Sequence, residues 1–119
     1  MTKDIARLTP VPAADYSCLR EILHPERDPV DVRYSLAHAS VGPGKASLRH
    51  RLATVEVYYV LLGAGVMHVA DEATIVGPGH TVVIPAGAEQ WIENTSDHAL
   101  EFLCIVDPAW REQDEEVLE

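Results

Sequence analysis

The sequence predicts an all-β domain, an antiparallel sandwich or barrel, on three observations. Apolar residues recur at a period of two in several short stretches. Turns rich in Gly and Pro interrupt the chain roughly every eight to twelve residues. No stretch of useful length carries the 3.6-residue period of an amphipathic helix.

Taken in order, residues 1–31 hold Pro10, Pro12, Pro25 and Pro29 and read as an extended lead-in. Tyr16 to Leu23 within it is either a strand or a short amphipathic helical stretch. Val32 to Val41 alternates, with Val32, Tyr34, Leu36 and His38 on one face and Arg33, Ser35, Ala37 and Ala39 on the other. That small-residue face suits the inside of a barrel or sandwich. A turn at Gly42, Pro43 and Gly44 leads into a strand over Ala46 to Leu52 and a second over Glu56 to Leu62. Gly63, Ala64 and Gly65 close a tight hairpin into Val66–Ala70, and Asp71 with Glu72 turns into Ala73–Val76. Further strands are expected over Thr81–Ile84, Glu89–Asn94 and Ala99–Val106, which ends the barrel region at about residue 107. Residues 108–119 read as a solvated acidic tail, with Trp110 pinning its start to the body.

Composition narrows the classes of function. One domain of 119 residues buries a real core without disulfides. Nine basic against nineteen acidic residues leave a net charge of −10. Nucleic acid and anionic membrane surfaces are therefore poor partners. Cys18 and Cys104 lie in apolar runs without partners at metal-ligand spacing, as buried thiols in a reducing compartment do. No signal-peptide core and no membrane-length apolar run is present, so a cytoplasmic location is expected.

Glu56 is the residue to explain. It shares a face with Tyr58, Val60 and Leu62, while Val57, Tyr59 and Leu61 form the opposite face. A strand apolar on both faces is expected to be buried on both, and a buried carboxyl is costly unless paired or metal-bound. Tyr58, on the same face, is a candidate proton donor or substrate hydrogen bond. His68, on the next strand, is a candidate for reaching the same space. His24, in the N-terminal segment, is a remoter one that would cross to a partner subunit. Trp91 is expected on the outer surface or at a subunit contact.

Two spaced patterns add to this. Gly44, His50, Glu56 and Gly63 stand at the gaps of one motif, and Gly79, Pro85, Gly87 and Asn94 at those of another. Together they resemble the cupin superfamily of small jelly-roll barrels, over roughly Val32 to Asp107. The resemblance implies a double-sheet antiparallel jelly roll with a metal ion held by three histidines and a glutamate. Two departures stand out: Leu52 replaces one of those histidines and Gln90 another. The resemblance then implies a reduced set of His50, Glu56 and Gln90, with Gln90 lending its amide oxygen to Mn²⁺, Fe²⁺, Ni²⁺ or Zn²⁺. Glu56 would be both ligand and proton acceptor, acting on an oxygen-rich small molecule by isomerase-, lyase- or dioxygenase-like chemistry. The alternative is a metal-free barrel that binds a small molecule without catalysis, which Leu52 favours by making the cavity greasier. Homodimerisation is expected, with the N-terminal segment available to add a strand to a neighbour.

Overall fold

A computed structural model of the chain describes residues 1–118, which fold into two antiparallel sheets packed face to face. The strands are β1 (Val11–Pro12), β2 (Cys18–Leu23), β3 (Ser35–Val41), β4 (His50–Leu52), β5 (Val55–Leu62) and β6 (Gly65–Val69). They continue as β7 (Glu72–Val76), β8 (Thr81–Ile84), β9 (Gln90–Glu93), β10 (Leu100–Asp107) and β11 (Glu115–Val117). One sheet runs β1-β2-β3-β10-β5-β8 and the other β11-β4-β9-β6-β7. This is the jelly-roll arrangement, with two separate sheets rather than one closed barrel. Among the described residues no helix is long and apolar enough to cross a membrane.

The period-two pattern explains the core. Along β10 the side chains of Leu100, Phe102, Cys104 and Val106 point between the sheets and are buried. Glu101, Leu103 and Ile105 point outward and are only half-buried. Phe102 packs its ring 4.4 Å from that of Tyr58, centroid to centroid, and both are almost fully buried. Fully burying a side chain of this size stabilises the fold by about 2–3 kcal/mol. Val60, Met67, Ile84, Ile92 and Leu100 complete the layer.

Gly63 shows why the β5–β6 hairpin demands its residue. Its φ is +84°, and a Cβ there would lie 2.6 Å from the Ala99 carbonyl oxygen, so no other residue fits. Asn94 ties the chain together at the same end. Its amide nitrogen donates to the carbonyls of Val41 and His98, and its oxygen accepts from Ser96, which holds the expected turn at 95–98.

Several expectations change. Tyr16 to Leu23 resolves in favour of a strand, β2 from Cys18, paired with β3 in its own sheet. The lead-in carries a single-turn 3-10 helix at Ile5–Arg7 and the short strand β1. The strand expected from Ala46 shortens to β4, because residues 43–46 are exposed and only an isolated bridge joins Ala46 to Glu93. The acidic end is no solvated tail: Glu115 pairs with Leu52 and Val117 with His50, so β11 extends the second sheet. Strand β5 is buried on one face only. Tyr59 and Leu61 on the other are 42% and 37% exposed.

Candidate functional site

The inward face of β5 and the short β4 meet at one end of the interior around a cavity of about 300 Å³. Its lining includes Glu56, Tyr58, Phe102 and Cys104 from the first sheet, His50 and Leu52 from β4, and Asp15 from the loop before β2. Trp110, Glu112 and Glu115 close it from the C-terminal side.

Local structure positions each group. His50 lies between two neighbours, registered against Gln90 of β9 and Val117 of β11. Its Nδ1–H donates to the Leu48 carbonyl oxygen at 2.8 Å, which leaves the Nε2 lone pair free. That Nε2 stands 3.7 Å from Asp15 Oδ2, too far for a hydrogen bond but a close electrostatic contact. Asp15 is itself held: its Oδ1 accepts from the Ser17 backbone N–H at 3.0 Å and from the Ser17 hydroxyl at 2.6 Å. Its backbone oxygen accepts from Leu48 N–H at 2.7 Å. The turn that delivers it has the exposed Tyr16 at φ +72°, an uncommon conformation for a residue with a side chain.

Glu56 is 6% exposed, and its Oε1 is buried with no hydrogen-bond partner. Loss of hydration pushes its pKa up to about 8; the nearby Gln90 amide offsets part of the rise, and Asp15 and Glu115 add to it. It therefore carries its proton at neutral pH. Tyr58 donates its hydroxyl to Gln90 Oε1 at 3.1 Å, and burial raises its pKa well above the usual phenol value. Glu115, half-buried, is also raised, chiefly by desolvation.

These positions decide how the expected metal set fares. His50, Glu56 and Gln90 do gather at one end of the interior. The Gln90 carbonyl oxygen, though, is already engaged by Tyr58, and its Nε2 is a buried donor without a partner. Leu52, 3% exposed, fills its position with hydrocarbon. Among the described residues no group of three or more His, Cys, Asp or Glu is arranged to hold a metal ion. Of the expected set, His50 and Glu56 are ligands of the usual types, while Gln90 offers only an amide oxygen that already accepts one hydrogen bond.

The other histidines stand elsewhere. His24 is buried and donates from Nε2 to the Trp110 carbonyl at 2.7 Å, which pins the wall that Trp110 forms and keeps His24 within its own chain. His68 faces outward from β6, stacked on Trp91 with centroids 3.7 Å apart and hydrogen-bonded to Glu93 at 2.6 Å, so it does not reach the cavity. Asp15 and Glu115 were not anticipated from sequence, since neither belongs to a spaced motif.

Comparison with known proteins agrees with this architecture. The cupin domain model matches residues 37–106. The chain is 37% identical over 114 residues to the uncharacterised protein MJ1618 of Methanocaldococcus jannaschii, covering 95% of this chain and 90% of that protein. It is 32% identical over 71 residues to an oxalate-binding protein of Thermotoga maritima, 59% of each chain. A crystal structure of a predicted oxalate decarboxylase from Thermotoga maritima superposes with a TM-score of 0.80 at 24% identity, covering 91% of this chain and 99% of that one. Two packed antiparallel sheets, the paired glycine-punctuated motifs and a family match over the barrel lead to one conclusion: the chain belongs to the cupin domain family.

Proposed function

We propose that this cupin binds a small oxygen-bearing molecule and moves protons on it without a metal ion, in isomerase- or lyase-like chemistry. One observation carries the reading: a buried carboxyl held protonated near neutral pH, Glu56, faces the same cavity as an imidazole with a free Nε2, His50. A proton-bearing carboxyl and an imidazole nitrogen that face one cavity suit general acid–base work. In this reading His50 Nε2 takes a proton from carbon next to a carbonyl, and the C–H electron pair moves into the new double bond. Glu56 delivers its proton to the oxygen that gains charge or departs. If a hydroxyl leaves, the C–O bond breaks and the product is water; the proton on His50 then returns to Glu56 through solvent. The Tyr58–Gln90 pair holds the floor of the site rigid.

The test follows proton exchange. In D₂O, wild-type protein is expected to wash hydrogen out of the carbon positions beside the carbonyl of hydroxyacetone, read by NMR. His50→Gln and Glu56→Gln are each expected to slow this by about 10²–10⁴-fold. Exchange at the buffer rate in all three proteins would leave the second reading, a binding barrel without catalysis. The apolar lining by Leu52, Phe102 and Val106 supports that one.

A homodimer through the outer face of the first sheet is part of the same reading. Tyr59, Leu61 and Val83 are exposed there beside the half-buried Leu103 and Ile105, a contiguous apolar strip of the kind that marks a subunit contact. Light scattering is expected to give twice the chain mass, falling to the single-chain value for Tyr59→Glu. A wild-type monomer at micromolar concentration rules the dimer out.

A further inference from the structure

The cavity's titratable side chains are one-sided, carboxyl groups against a single imidazole, although Glu56 itself is neutral near pH 7. Asp15, Glu56, Glu112 and Glu115 line it together with Glu21, whose charge is matched by Arg27 at 2.5 Å. No Lys or Arg lines it among the described residues, and His50 is its one basic side chain. Acidic residues alone would mark only a solvated rim, but two features here are interior. Glu56 is more than nine-tenths buried, with one carboxyl oxygen unpartnered at the cavity. Asp15 is 7% exposed and directs its Oδ2 toward the same space. Around them stand three aromatic side chains, Tyr58, Phe102 and Trp110, in a wall whose remainder is mostly apolar, with Ser17, Ser35 and Cys104 among it.

We infer that the ligand of this cavity is a small organic cation, an ammonium group on a short apolar or hydroxylated body. This rests on the reading of the cavity as the ligand site and names the class of molecule it takes. A dicarboxylate such as oxalate would enter a low-dielectric space already holding several carboxyl groups, with no guanidinium or ammonium to receive it, and like charges there repel. An ammonium group answers each feature in turn. It donates hydrogen bonds to Asp15 Oδ2 and to the unpartnered Glu56 Oε1, and Glu115 adds attraction from the C-terminal wall. The faces of Trp110 and Phe102 stabilise it further through their ring quadrupoles. The apolar remainder of the ligand packs against Leu52, Ala37 and Val106.

The experiment compares four probes of similar size and different charge: butylammonium, 1-butanol, butyrate and oxalate, titrated by NMR and calorimetry. Butylammonium is expected to bind at least about tenfold more tightly than butanol, and the two anions not to saturate at millimolar concentration. The double variant Asp15→Asn/Glu115→Gln is expected to remove that preference. Asn at residue 15 keeps the Oδ1 that accepts from Ser17, so the turn stays folded, and circular dichroism checks this. Tighter binding of oxalate or butyrate than of butylammonium overturns the inference. So does butylammonium binding that is unchanged in the double variant, or absent from the wild type. The two readings fail separately. Hydrogen exchange on hydroxyacetone without ammonium binding sinks the cation, whereas ammonium binding without exchange sinks the chemistry and leaves the ligand class standing.

Discussion

Glu56→Gln is expected to abolish a fall in stability that the wild-type protein shows between about pH 5 and pH 8. The sign follows from where the proton sits. In the unfolded chain this carboxyl titrates near 4.5, and in the folded protein its pKa is about 8. Between those values the folded state holds a proton that the unfolded state has released, so stability falls as pH rises. Its contribution is complete below about pH 4.5 and is lost as pH climbs through the folded value. The slope is about 1.4 kcal/mol per pH unit, on the order of 4 kcal/mol across the window. A domain of this size has about 5–15 kcal/mol in all. Asp15 and Glu115 face Glu56 and contribute to its shift, and the net charge of −10 adds a general acidic repulsion. The informative quantity is therefore the difference between wild type and variant. Urea unfolding at about pH 5, 6.5 and 8 should show the variant overtaking the wild type as pH rises. Parallel curves would mean that Glu56 has found a partner and is ionised in the folded state.

The second large effect is a gain. Leu52→His combined with Gln90→His should create a stoichiometric divalent-metal site where the wild type has none that survives desalting. The donors explain the direction. His50 already offers a free Nε2, and Glu56 has a free oxygen. Two imidazoles at buried positions 52 and 90 would complete a set of three nitrogens and a carboxylate, which suits Zn²⁺, Ni²⁺, Fe²⁺ or Mn²⁺. The ion would also drive Glu56 to ionise, so the pH-dependent loss of stability described above should vanish in the metal-loaded double variant. Elemental analysis after gel filtration measures the first effect and urea unfolding the second. Full metal occupancy in the wild type that drops in Glu56→Gln would restore the metalloenzyme expectation. An empty double variant would show that positions 52 and 90 do not face His50 as their register implies.

Much of the barrel was legible because its signals are local. Period-two alternation in β3, β5 and β10 and the Gly and Pro turns are properties of adjacent residues, and the two motifs bring His50, Glu56 and Gln90 to one end. What was not legible depends on contacts distant in sequence. Asp15 lies in a polar turn with no spacing pattern, and only its hydrogen bond to Leu48 brings it beside His50. Glu115 sits in an acidic run that reads as solvated, because pairing with Leu52 across the sheet leaves no trace in periodicity. The outer face of β5 misled for another reason. An apolar pattern reports what a face avoids, and the same residues serve a core or a subunit contact equally well. The occupation of Gln90 by Tyr58 likewise turns on one hydroxyl 32 positions away.

The family match stops at residues 37 and 106, whereas Asp15, Trp110 and Glu115 lie beyond it on either side. The barrel thus resembles a mould whose selective surface is supplied by its two flanks, the N-terminal turn and the closing strand. A fragment trimmed to the matched region would keep Glu56 alone of the five carboxyl side chains that line the cavity. Grafting these flanks onto another jelly roll of the same kind would be the direct way to move its charge preference.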